Sequence, residues 1–153
     1  MSSESILMLH PTFGVLAMFA AVWVFVDVLN ASPRNARRIR NMSVLLAVLV
    51  WLSYLAGGYW YVMFYAADKA LIKAGPWPFA HSFFMETKEH LFFALLLLST
   101  YLPIAAADRA LLIGKSQRTL VLTVCALVVL LGLAMEGSGA VVGLGAKVAL
   151  LAR

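Results

Sequence analysis

Four apolar runs separated by short polar segments organise this chain. The first covers about Ile6 to Leu29, the second about Met42 to Ala66 and the third about Ser82 to Ala107; the fourth begins near Thr119. Each reaches the roughly 20 mostly apolar residues that a membrane-crossing helix needs. Helices are the expected form, because four crossings cannot close a β-barrel and an open sheet would leave backbone groups unpaired in lipid. The predicted fold is therefore an all-α integral membrane protein. It is a four-transmembrane-helix bundle in a single domain over residues 1–153, with spans at about 6–29, 42–66, 82–107 and 119–136.

The fourth run is too long for one crossing. From Thr119 to Arg153 it holds 35 residues, interrupted by Gly137, Ser138 and Gly139 and then by Gly143 and Gly145. Glycine weakens a helix interior, so the pattern predicts a break near 137–139. Residues 140–153 then form an outer-surface or continuing helical segment.

Composition supports lipid as the solvent. Of 153 residues, 63% are hydrophobic and 12% charged, whereas soluble domains carry about 25% charged residues. The net charge of +5 does not indicate nucleic acid, because most of the basic residues fall in two loops and no exposed aromatic–basic platform accompanies them. Loop 30–41, NASPRNARRIRN, holds Arg34, Arg37, Arg38 and Arg40, and loop 108–118 holds Arg109, Lys115 and Arg118. The opposite loop, 67–81, has only Lys69 and Lys73. The positive-inside rule makes the two arginine loops cytoplasmic and both termini outer, which is periplasmic for a bacterial inner membrane. The N-terminus, MSSESILMLHP, lacks the basic region of a secretory signal, so the first run is expected to stay as a span. Cys125 is the only cysteine, which rules out an intrachain disulfide and a multi-cysteine metal site.

Ionisable groups inside such helices are costly enough to mark function. The stretch FFMETKEHLFF places Glu86, Lys88, Glu89 and His90 at the start of the third run. Counted from the cytoplasmic ends, His10 lies at roughly 28 Å along its helix, and His90 and Glu136 at roughly 25 Å. Tyr61 and Tyr65 reach the same level, with Tyr54, Trp51 and Gly58 on their face. Glu86 and His90, four apart, project together. Small residues line two helices beside these groups: Gly14, Ala17 and Ala21 below His10, and Cys125, Gly132, Gly139 and Ala146 in the fourth run. Such stripes admit a close neighbour or a flat cofactor. Lys88 and Glu89 suit the head-group layer, as does His81 beside Trp77.

The leading expectation is a small cytochrome-b-like redox protein. Haem b would be held by His10 and His90, with Gly14 and Gly132 giving clearance and Glu86, Glu136 and Tyr61 tuning potential or moving protons. Electrons would pass between quinol and a membrane or periplasmic redox partner. A second expectation is a copper, iron or zinc ion on His10, His90, Glu86 and Glu136, although no HExxH or paired ExxH motif supports it. Met8, Met85 and Met135 near that level would suit Cu(I). A third is proton or quinone handling by Glu86, Glu136, His90 and Tyr61, which with so few helices implies a homo-oligomer. A fourth is an accessory subunit of a larger membrane complex. No hydrolase set or phosphate-binding glycine loop is present.

Overall fold

The computed structural model describes residues 3–107 and 110–152, all in helices or short connections, with no strand among them. Helix α1 spans Ser3–Leu29 and α2 spans Ala36–Ala74. A π-helical turn, Ala80–Met85, leads directly into α3, Glu86–Ala107. A single turn, α4 (Ala110–Ile113), precedes α5, Lys115–Leu151. Four helical segments are long and apolar enough to cross a membrane. Arg109, one of the expected loop cations, lies outside the described residues.

Each long helix runs antiparallel to the next, so both termini lie at one end of the bundle, here the termini end. The connection 30–35 and the short helix α4 lie at the other, the arginine end. Helix α1 packs mainly on α2 and α5, and α3 packs on the other sides of the same two. The shared core is made largely of small and branched aliphatic side chains such as Ala17, Ala21, Val24, Leu46, Val124 and Val128. Leu55, Val62, Leu97 and Leu130 point outward, as lipid-facing residues do.

Two helices are longer than expected. Helix α2 has 39 residues and α5 has 37, about 58 and 55 Å against a hydrocarbon core of about 30 Å. The loop expected over 67–81 shrinks to residues 75–79. The added turns pack on each other at the termini end, where Tyr65, Ile72 and Ala80 form a second core with Trp60, Val141 and Ala146. The bundle thus has a four-helix storey topped by a smaller one built from α2, α5 and the π turn.

The break expected near 137–139 is absent, and α5 stays helical through those glycines. In lipid an interrupted helix would strand backbone N–H and C=O groups. Two of the glycines, Gly139 and Gly145, instead let neighbours approach. A Cβ on Gly145 would sit 2.6 Å from the Ala80 methyl, and one on Gly139 would sit 3.0 Å from Lys88 Nζ.

The arginine end is tied down by side chains. Arg38 donates to both carboxylate oxygens of Asp27, at 2.7 and 2.6 Å. Asn35 donates to the Asp27 and Asn30 carbonyls. Arg118 donates to the carbonyls of Ala31, Leu111 and Leu112. These bonds satisfy carbonyls that helix ends leave unpaired. Arg34, Arg37 and Arg40 remain exposed.

Candidate functional site

His10, Glu136 and Lys88 converge inside the bundle from three different helices. His10 and Glu136 line one cavity of about 20 Å³ together with Gly14, Ser53, Phe92 and Gly132. That volume accepts about one water molecule. Lys88 acts electrostatically on both His10 and Glu136.

Glycines make the room. A Cβ on Gly57 would meet His10 Nδ1 at 2.6 Å, and one on Gly14 would meet Glu136 Oε1 at 2.6 Å. With Gly139 beneath Lys88, each of the three ionisable groups lies over a glycine of a neighbouring helix. A larger residue at those positions would occupy the space of the charged or polar head.

Ser53 fixes the imidazole. Its hydroxyl donates to the His10 carbonyl at 2.9 Å, which uses its one hydrogen. His10 Nδ1 lies 2.9 Å from the Ser53 carbonyl, a pure acceptor, and 3.0 Å from the same hydroxyl oxygen. Nδ1 must therefore carry the hydrogen, and in the neutral ring Nε2 keeps the lone pair. Phe92 packs on the ring at 6.3 Å and Tyr54 packs on Phe92 at 5.4 Å, which holds the imidazole against rotation. His10 is thus set up as a base with a defined nitrogen.

Glu136 is left free. Its carboxylate accepts no hydrogen bond from a described residue and closes no ion pair within 4.0 Å; the ion pairs among the described residues are Asp27–Arg38 and His81–Glu86. A half-buried carboxylate without a protein donor beside a water-sized cavity has lone pairs open to whatever enters that cavity. Lys88 supplies positive charge nearby without consuming the carboxylate's lone pairs.

The structure separates several residues that the sequence pattern groups together. His90 is exposed, its Nδ1–H donates to the Glu86 carbonyl at 2.7 Å, and it does not line the His10 cavity. Phe92 takes the place facing His10, and two positions along a helix amount to about 200° of rotation. Gly132 gives its clearance to Met18, whose sulfur would lie 2.7 Å from a Cβ there. His10 lines the inner cavity whereas His90 is exposed and outside that lining, so the residues present do not fit a bis-histidine haem. Nor does a metal ion on His10, His90, Glu86 and Glu136 fit, since no three His, Cys, Asp or Glu side chains gather among the described residues. Glu86 is exposed rather than interior, and Lys88, expected among the head groups, turns inward.

His81 is the largest departure. It is 2% exposed, the most buried of the three histidines, where an interfacial position was expected. Tyr65, equally buried, bonds its Nδ1 at 3.1 Å, and Glu86 lies 3.9 Å from its Nε2. Tyr61 stacks on Tyr65 at 5.0 Å and lies beside Glu89. The sequence reading missed Ser53 and Gly57, which sit on the α2 face towards His10, and Asp27. A carboxylate ending an apolar run just before an arginine cluster was the available signal for Asp27. Gly58, placed by periodicity with the aromatic face, has open space around it.

The chain matches no protein-family model, and no curated protein or solved structure matches it either.

Proposed function

We infer that this is a small integral membrane protein that moves protons through the centre formed by His10, Ser53, Glu136 and Lys88. The observation that carries the reading is the hydrogen-bond state of Glu136: a carboxylate inside a membrane bundle, beside a water-sized cavity, with no protein donor. A fixed imidazole with one free nitrogen faces the same space. One water bridging Glu136 and His10 Nε2 would let a proton pass from carboxyl to imidazole, each group ending with the bond the other gives up. Lys88 stabilises the carboxylate form after the proton leaves.

Both termini lie on the outer, periplasmic side of a bacterial inner membrane, with the arginine loops cytoplasmic. The exposed Arg34, Arg37 and Arg40 at the arginine end support that orientation. The centre then sits in the outer half of the bundle. The cavity that four helices enclose at the centre is narrow, so a homo-oligomer or a larger membrane complex is the working unit. Quinol remains a candidate partner at the exposed Glu86–His90 face.

Reconstitution into vesicles loaded with a pH-sensitive dye tests the reading. Under an imposed potassium diffusion potential, wild-type protein should change internal pH faster than empty vesicles do, and Glu136→Gln should remove the difference. Wild-type vesicles no faster than empty ones would contradict it.

A further inference from the structure

The termini end holds a second polar site that the centre does not use. Three observations define it. First, His81 and Tyr65 are each 2% exposed and bonded to each other, so the second core encloses a polar pair. Second, Tyr65 has no other acceptor among the described residues. A buried hydroxyl must give its single hydrogen to an acceptor, so Tyr65 donates and His81 Nδ1 accepts. The ring's hydrogen is then on Nε2, which faces the Glu86 carboxylate at 3.9 Å.

Third, the backbone is built to produce this pairing. The Glu86 N–H bonds the His81 carbonyl, an i to i+5 bond of the kind that defines a π turn, and such turns recur at functional sites. In a regular α-helix, residues five apart diverge by about 140°. The wider π turn brings His81 and Glu86 towards one face, and turns His81 away from the Lys88 side, where an α-helix would put it.

We propose that Tyr65, His81 and Glu86 form a second proton-binding site, in which uptake of one proton by His81 releases the π turn from α2. The proton adds to Nδ1, the ring's one lone pair, so Nδ1 can no longer accept from Tyr65 and can only donate to Oη in return. The phenolic hydrogen then has no acceptor in the closed core. The charged ring is drawn to Glu86, which is exposed and provides the path from solvent. Burial opposes the charge most and Lys69 and Lys73 of α2 add to that, whereas Glu86 and Glu89 of α3 favour it. The α5 residues packed there, Val141, Val142 and Ala146, carry none. Neutral His81 thus locks the upper storey and charged His81 loosens it.

Hydrogen exchange on the full chain in lipid nanodiscs tests this, read by mass spectrometry at about pH 7.5 and about pH 5, either side of the usual histidine range. After correction for intrinsic exchange rates, the amides of residues 80–86 should exchange about tenfold faster at the lower pH in the wild type, the effect of stranding one buried hydroxyl. His81→Gln keeps an acceptor for Tyr65 but takes no proton, so its exchange should not change with pH. Tyr65→Phe, with no hydroxyl to strand, should also lose the response. Glu136→Gln should keep it, which separates this site from the proton centre. Equal acceleration in wild type and His81→Gln, or none in the wild type, would overturn the proposal.

Discussion

Asp27 and Glu136 are both carboxylates that end or interrupt apolar helices, yet the protein treats them in opposite ways. Asp27 receives both arms of the Arg38 guanidinium, and Asn35 bonds its carbonyl. Glu136 receives nothing from the protein and rests over a glycine beside a cavity. A paired carboxylate fixes geometry, since its lone pairs are spent and its protonation would sacrifice strong charge-assisted bonds. An unpaired one in a dry bundle destabilises the fold, and such a group is retained where its proton can be exchanged. The arginine end is therefore the anchor of the bundle, and the His10–Glu136 centre is where we propose its chemistry lies.

That contrast can be broken most directly at Glu136. Glu136→Gln should lower proton flux about 100-fold, the contribution of a positioned acid–base group, while leaving thermal stability equal to or above wild type. Ser53→Ala removes both the donor to the His10 carbonyl and one acceptor of Nδ1–H. It should lower unfolding stability by about 1–3 kcal/mol, while ¹⁵N NMR of His10 should still show the Nδ1–H tautomer, because the residue-53 carbonyl remains its acceptor.

Two adjacent glycines sharpen the comparison. Gly57→Ala would push a methyl into an imidazole braced by Ser53 and Phe92, and should destabilise by about 1–3 kcal/mol with loss of flux. Gly58→Ala meets nothing within 4 Å and should stabilise by about 0.5–1 kcal/mol, flux unchanged. Denaturation in mild detergent reads both. The smallest effect on activity belongs to Asp27→Asn, which should lower the melting temperature yet leave flux at the wild-type level.

The spans were legible because hydropathy alone decides them in lipid. Their ends were not, because AADKALIKA at the end of α2 is too polar to read as membrane and is held helical by packing against α5 and the π turn. The glycine run in α5 was read by intrinsic propensity, whereas close approach of Ala80 and Lys88 decides its form. His10 and Glu136, grouped by depth, line one cavity. Facing was harder, since the two-residue step from His90 to Phe92 reverses direction, and boundary errors of that size are ordinary. Nothing in the residues AHSFFM announces a π turn, so the burial of His81 could not be foreseen.

The comparison of the two carboxylates rests on one measurement: the rate of proton flux into vesicles for Glu136→Gln beside Asp27→Asn, each reconstituted at equal density. The account predicts that the first falls to the level of empty vesicles and the second matches wild type. Equal rates in the two variants, or loss in Asp27→Asn alone, would contradict it.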